Sequence, residues 1–329
     1  MSYTVVPLRI EKHREALVKL WKENFDDPRE KDYANERFSW LYHESPADSA
    51  WTWLGIETES KAVIGCGSVI RANKYIGGRV VTAGVPVLFA VEKNHRTAAA
   101  ALAIQRAVTT ESFRMGFDFL VGKPNKKALS IFDRAGYRTI GEAQGWFTHT
   151  CAGRDSLPDS ALYTDEVATV ADGRFEELWK LSRSQHRIIG HKTAAFLNWR
   201  YGKFKEQDYR FYCLFRRADH QLTGYLVFSA ARWGYFIAEL FCQDATGPIL
   251  DNLLRGFASL ANSEGQEWIA LSYLGAPWFE ERLTQLGFTP DTHRSKLLVC
   301  ADPRLPAEYR SEILDNKNWF IFGGEMDLF

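Results

Sequence analysis

The sequence is short of several things, and each shortage removes a class of protein. Its five cysteines (Cys66, Cys151, Cys213, Cys242, Cys300) are scattered, odd in number and never spaced C-x-x-C. That argues against a disulfide framework or a zinc site and fits a reducing compartment. There is no surplus of charge: 41 Lys and Arg face 41 Asp and Glu, for a formal net charge of zero. A nucleic-acid partner therefore has no electrostatic support. No apolar run approaches the ~20 residues of a membrane span. The opening Met1-Ser2-Tyr3-Thr4 leads into a strand-like run, not into a basic and then apolar leader. No His or carboxylate spacing suggests a metal, and no G-x-S-x-G a serine nucleophile. The expectation is a cytoplasmic protein with no metal, membrane span or nucleic-acid partner; oligomeric state does not follow.

What is present is core-forming material. The chain has 329 residues, 46% hydrophobic and 25% charged, enough for one large domain or two ordinary ones. Aromatic residues make up 14%, and most belong in a packed interior.

The chain also contains itself twice. Phe38-Ser39-Trp40-Leu41-Tyr42 recurs as Leu197-Asn198-Trp199-Arg200-Tyr201, with Trp-x-Tyr 159 positions on. Gly65 after Val63-Ile64 matches Gly224 after Leu222-Thr223. Upstream, Leu20-Trp21-Lys22 matches Leu178-Trp179-Lys180. Downstream, Arg134-Ala135-Gly136-Tyr137 matches Gln285-Leu286-Gly287-Phe288, now 151 positions on. Four matches in one order at nearly constant offset indicate a duplication. The polar, turn-forming stretch from Gly153 to Ser160 reads as the linker, so the expected units are 1–152 and 160–329.

Each unit predicts the same order of elements. In the first, strand Thr4–Ile10 precedes a helix from Glu11 to Asn24. Paired strands follow at Trp51–Glu57 and Ala62–Ile70, a tight turn at Gly77-Gly78, and a doubly buried central strand at Val85–Val91. Helix Thr97–Met115, strand Phe117–Val121, helix Lys126–Ala135 stopped by Gly136, and strand Arg138–Glu142 complete it. The second has helix Phe175–Ser182, strands Phe211–Phe215, Gly224–Ala230 and Tyr235–Cys242, helix Leu250–Ala261, strand Trp268–Tyr273 and helix Trp278–Leu286. The fold class is α+β, two mixed, mostly antiparallel sheets flanked by helices.

Two segments of the first unit resemble the GNAT superfamily of acyl-CoA N-acyltransferases. In Val91-Glu92-Lys93-Asn94-His95-Arg96-Thr97-Ala98-Ala99-Ala100-Ala101-Leu102, the family's V-x-P-x-x-R-G-x-G-x-G/A-L is matched at Val91, Arg96, Ala101 and Leu102. Lys93, Thr97 and Ala99 depart from it. In the segment from Asn125 to Tyr137, the pattern N-x-x-A-x-x-x-Y-x-x-x-G-F/Y is met at Asn125, Ala128, Gly136 and Tyr137, with Phe132 where a Tyr often acts as general acid. The resemblance implies a tandem pair of GNAT folds. It also implies an acetyl-CoA or longer acyl-CoA donor held by Phe89, Ala90, Val91, Arg96, Thr97, Ala98, Ala99, Ala100, Ala101, Asn125 and Phe132. The physical reason is that a turn opening a helix offers unpaired N–H groups and a positive dipole end to a pyrophosphate. A plain alternative is that Thr97–Ala101 is merely a capped, alanine-rich helix start.

The matching turn of the second unit, from Gln243 to Ile249, has an acid, no base, and Pro248 in place of a donor. That unit is expected to have lost the donor and to serve as scaffold and acceptor wall. The layout is similar to protein N-myristoyltransferases and FemAB-like aminoacyl transferases, and in feel to bacterial two-domain GNAT proteins of surface-polysaccharide modification. The implied reaction is N-acylation, acetylation foremost, of a small amine such as an amino sugar or amino-acid-like compound. Alternatives are an aminoacyl-tRNA or acyl-carrier-protein donor, or a non-catalytic ligand-binding module.

Acyl transfer to nitrogen needs a base and oxyanion donors. Backbone N–H groups near Phe89–Val91 suit the oxyanion. The candidate bases are Glu92 at the strand end, Glu239 within an apolar run where a carboxylate must be paired or face a cavity, and Asp327 or Glu325 in the tail. The plain alternatives are a solvated acid for Glu92, a structural ion pair for Glu239 and a packed tail for the others. His95, His186 and His191 are further proton acceptors, or solvated loop residues.

Overall fold

The computed structural model describes residues 2–25, 27–46, 50–144, 146–151, 159–232, 234–292 and 294–326. The first repeat runs β1 (Tyr3–Pro7), α1 (Ile10–Asn24), α2 (Pro28–Asp32), α3 (Ala34–Tyr42), β2 (Ala50–Glu57), β3 (Val63–Arg71), β4 (Lys74–Ile76), β5 (Arg79–Val81) and β6 (Ala83–Val91). It continues through α4 (Ala98–Arg114), β7 (Phe119–Gly122), α5 (Leu129–Arg134), β8 (Arg138–Gln144) and β9 (Phe147–Thr150). The second runs β10 (Tyr163–Ala168), α6 (Gly173–Ser182), β11 (Ile188–Gly190), α7 (Ala194–Leu197), β12 (Arg210–Arg216), β13 (Gln221–Ala231), β14 (Gly234–Cys242) and α8 (Pro248–Ser263). Then come β15 (Trp268–Leu271), β16 (Tyr273–Gly275), α9 (Pro277–Gln285), β17 (Thr289–Pro290), β18 (Arg294–Ala301), α10 (Ala307–Ile313) and β19 (Trp319–Phe322).

The two repeats exchange strands. One seven-stranded sheet has the order β1-β2-β3-β6-β7-β18-β8 and the other β10-β12-β13-β14-β15-β9-β17. Strand β18 of the second repeat is seated between β7 and β8 of the first, and β9 of the first between β15 and β17 of the second. The repeats are therefore sequential along the chain but interlocked in space, and the sheets cross the 1–152 and 160–329 division. The expected linker lies outside the described residues, apart from Asp159 and Ser160. A five-stranded sheet, β16-β19-β11-β4-β5, spans the seam with strands from both repeats.

The repeat markers form the seam itself. The rings of Trp40 and Trp199 stack with centroids 4.7 Å apart and planes 6° from parallel. Each indole donates to the other's backbone: Trp40 Nε1 to the Trp199 carbonyl at 2.8 Å, Trp199 Nε1 to that of Trp40 at 3.0 Å. This is an isologous contact of the kind found in twofold dimers, made within one chain. Gly136 and Gly287 end α5 and α9 at φ +101° and +87°, a left-handed cap that glycine adopts without a Cβ penalty.

Helix α4 starts on Thr97, whose Oγ1 accepts from the Ala100 N–H at 3.3 Å. It buries Ile104 and Val108 against β2 and β3, while α1 covers the other face with Leu17, Leu20 and Trp21. The expected strand Trp268–Tyr273 is two strands. The chain changes sheets at Ser272, whose carbonyl accepts from the Gly323 N–H at 2.8 Å.

Candidate functional site

The central strand of the first sheet parts from its neighbour. Parallel strands β6 and β7 pair only at Ala83–Phe119 and Gly84–Leu120. From Val85 onward β6 pairs with β3 alone, leaving a slot on the β7 side. A one-residue bulge sets Leu88 and Phe89 opposite Gly67, with Leu88 at φ +53°. A left-handed leucine costs on the order of 1–2 kcal/mol, and such strain is concentrated at functional sites. On the α5 side the slot has the half-buried Phe89, edge-on to Phe132 at 6.1 Å. Tyr137 packs on Phe132 at 4.9 Å, but its hydroxyl is buried, accepts from Gln105 Nε2 at 3.3 Å, and is pushed far up by desolvation.

Because β6 and β7 are parallel, the loops after them lie at one end of the slot. They carry Lys93, Arg96, Lys126 and Lys127 against one acid, Glu92; Lys123, the first residue after β7, turns instead to Ser272 of the second repeat. The Arg96 side chain is steadied by Nε donating to the Val91 carbonyl at 3.1 Å. With Thr97 serving Ala100, the exposed Ala98 and Ala99 N–H groups at the start of α4 have no intrahelical acceptor. Asn125 caps α5, its Oδ1 accepting from the Ala128 N–H at 3.1 Å. Glu92 lies 3.3 Å from His95 Nε2, and Glu57 lies 3.9 Å from Nδ1. The residues expected to hold a donor, Phe89 to Val91 and Arg96 to Ala101 with Asn125 and Phe132, thus lie along one slot and its rim.

The second sheet has the same slot in a different state. Strand β14 pairs with β15 from Gly234–Trp268 to Ile237–Leu271 and bulges at Ala238. Beyond that point the terminal segment Gly323–Met326 packs against β14. Gly324 is so close that a Cβ there would lie 2.6 Å from both the Ala238 carbonyl oxygen and the Tyr201 hydroxyl. Arg200 holds this segment, Nε donating to the Gly324 carbonyl at 2.9 Å and Nη2 to that of Met326 at 3.0 Å.

A fully buried ionic network secures it. Glu325 takes Lys74 Nζ at 2.6 Å and Lys192 Nζ at 3.2 Å; Lys192 also lies 2.9 Å from Glu239. Tyr201 and Tyr225 donate to the two oxygens of Glu239 at 2.7 and 3.2 Å. Burial alone would push the Glu325 carboxyl up, but Lys192 and Lys74 outweigh it and hold it below its ordinary value. Burial likewise opposes the Lys192 charge, and Glu239 and Glu325 raise it.

The turn before α8 is also filled from within. Asp244 accepts from the Thr246 N–H at 3.0 Å, and Gln185 accepts from the Ala245 N–H at 3.2 Å while donating to the Cys242 carbonyl at 2.5 Å.

The candidate bases are therefore scattered. Glu92 is at the rim of the first slot, Glu239 is sealed in the network, and Asp327 lies outside the described residues. His186 is sandwiched against Phe320 at 3.8 Å, and burial pushes it down to about 3. His191 is half-buried and also lowered, chiefly by burial. Sequence alone missed Lys74, Lys192 and Tyr225, because nothing near them in the chain marks them as buried; contacts across the seam do. Arg200 and Tyr201 were visible only as repeat markers. Among the described residues no group of His, Cys, Asp or Glu could hold a metal, and no helix is long and apolar enough to cross a membrane.

No family model and no curated protein sequence matches this chain. Solved structures do. A GCN5-related N-acetyltransferase of Anabaena variabilis superposes with a TM-score of 0.67 at 13% identity, over 91% of this chain and 72% of that one. One from Kribbella flavida gives 0.64 at 13%, over 91% and 70%. This chain has the GNAT fold. Its two-repeat architecture is similar to that of N-myristoyltransferase: the Saccharomyces cerevisiae enzyme with bound myristoyl-CoA superposes at 0.60 and 13% identity, over 91% of this chain and 82% of that one.

Proposed function

We infer that the protein is an acyl-CoA-dependent N-acyltransferase with one donor site, in the first repeat, and an acceptor side built with the second. The observation that carries this is the contrast between the slots. The first has a parted strand pair, a strained bulge, free helix-start N–H groups and a basic rim, whereas the second is filled by its own chain. The pyrophosphate would lie at Arg96 and the start of α4, and the pantetheine between β6 and β7. The thioester would come to the bulge, where backbone N–H groups of Phe89 to Val91 stabilise the oxyanion. The neutral acceptor nitrogen attacks the thioester carbon and the C–S bond breaks; the thiolate takes its proton from solvent, to which the carboxylate base afterwards gives up the one it removes from nitrogen. The ammonium proton goes to a carboxylate. Glu92 is committed to the phosphate end and Glu239 to the network, so we assign that role to Asp327, which follows the anchored Met326 in sequence. Acetyl transfer to an amino sugar or amino-acid-like amine is the preferred form. A non-catalytic acyl-CoA binder is the second reading, favoured by Phe132 and the sealed Tyr137 hydroxyl, which leave the slot without a tyrosine proton donor. Titration calorimetry with acetyl-CoA and longer acyl-CoAs tests both. Binding without thiol release across an amine panel selects the second reading, and no binding by any of them defeats both.

A further inference from the structure

The seam between the repeats holds three lysines, Lys74 and Lys192 fully buried and Lys123 half-buried, and only the first two meet counter-ions among the described residues. Lys74 and Lys192 sit on Glu325 and Glu239. The third, Lys123, directly follows β7. Phe119 and Val121 point from β7 into the cluster shared with the second repeat, and Leu120 points to the Phe132 side. By alternation Lys123 leaves on the same face as Val121, away from the wall formed by α5. Its Nζ is 3.3 Å from the buried hydroxyl of Ser272, the residue at which the second repeat's strand β15 ends. Its other neighbour is the ring of Trp146 at 6.0 Å, which in turn packs on Phe236 at 5.3 Å. Trp146 and Phe236 are both half-buried. No carboxylate of the described residues lies within ion-pair distance of Lys123. Desolvation accordingly pulls its ammonium down to about 8.

A cation half withdrawn from water without an anion carries a desolvation cost that a ligand's anion would offset. We propose that Lys123, with Ser272 as its hydrogen-bonding neighbour and Trp146 and Phe236 as an aromatic shelf, holds the anionic group of the acceptor, so that the acceptor is an amine that also carries a carboxylate or phosphate. The inference rests on the acyl-transfer reading only in calling the ligand an acceptor. The site lies on the seam face of the first sheet, across from the α5 wall of the slot, which separates it from the donor. Lys123 is here a specificity residue, whose loss acts on acceptor affinity rather than on donor affinity.

The test is calorimetry on the full chain with two matched pairs of probes: L-phenylalanine against 2-phenylethylamine, and glucosamine 6-phosphate against glucosamine. Acetyl-CoA is titrated separately. In the native protein the anionic member of at least one pair should bind at least roughly tenfold tighter than its neutral partner, as for a charged hydrogen bond. Which pair discriminates tells carboxylate from phosphate. Lys123→Met should erase that preference and leave acetyl-CoA affinity unchanged, and Lys123→Arg should restore part of it. Lys123→Gln replaces Lys123→Met if the latter folds poorly. The proposal is overturned by no anionic preference in either pair, by a preference that survives both neutral variants, or by loss of acetyl-CoA affinity in them. If acetyl-CoA does not bind the native protein but the Lys123-dependent preference holds, the acyl-transfer reading falls and the anion site stands.

Discussion

Both repeats interrupt their central strand at a bulge, Leu88 in β6 and Ala238 in β14, and in both the pairing with the next parallel strand ends before it, after Gly84 in β6 and after Ile237 in β14. Past the bulge the two slots diverge. Besides Lys123, which turns to the seam, the loops at the rim of the first slot carry four basic residues and one acid, and none of the described chain pairs into the gap. At the second rim, residues 243–247 and 272–277 carry no base and one acid, Asp244, and the terminal segment lies in the gap. The same backbone device thus has two outcomes, one gap left unpaired and the other closed as a joint. The closed slot explains how a buried network of two lysines and two glutamates is tolerated. Its charges balance, Glu325 takes both lysines and Glu239 has two tyrosine donors besides Lys192, the condition under which buried ions are not ruinous.

That comparison can be broken most directly at the joint. Glu325→Gln leaves Lys74 with no carboxylate and Lys192 with Glu239 alone, and breaking a buried pair costs about 3–5 kcal/mol. The variant should melt several degrees lower, and an unchanged melting temperature would show that the tail is not structural. The direction of the pH effect is set by the depressed native value. The native carboxylate stabilises above the ordinary value of 4.5, and this contribution is lost as pH falls through the lower folded value. Stability of Glu325→Gln should therefore vary less with acidification below about pH 5 than that of the parent, as acid unfolding curves would reveal.

The open slot should respond to charge where the closed one does not. Arg96→Glu should weaken acyl-CoA binding by roughly tenfold or more, whereas Asp244→Lys should leave it unchanged. A donor that responded to Asp244 would place it in the second repeat. Smaller effects are expected on the symmetry axis. Trp40→Phe and Trp199→Phe each remove one indole donor and should cost similar amounts, about 1 kcal/mol, with a double-mutant cycle showing coupling. Unequal costs in urea unfolding would mean that the axis is only approximate in energy. The smallest change is Ala99→Gly at the start of α4. It restores the family's glycine and should improve acyl-CoA affinity a fewfold, at a helix cost below ~1 kcal/mol.

Much of the site's first half was legible in the chain, for local reasons. The turn from Glu92 to Ala101 and the helix capped by Asn125 are contiguous segments, and N-caps, C-cap glycines and buried strands are written in neighbouring residues. Gly77-Gly78 appeared as a turn because both residues take positive φ, +54° and +96°. What could not be read was anything joining residues far apart. Strand Trp268–Tyr273 carries no mark that it changes sheets, and Lys74 and Lys192 look like surface lysines among their neighbours.

The duplication, the order of elements in each copy, and which of the two matching turns carries a base could be read from the chain alone, because these depend on periodicity, on glycine and on local charge. That the copies exchange β9 and β18, that Trp40 and Trp199 meet face to face, and that the segment Gly323–Met326 closes one slot while Lys123 meets no counter-ion among the described residues came only with the folded chain. Those outcomes depend on which distant surfaces are buried together, and on which charges must then be matched away from water.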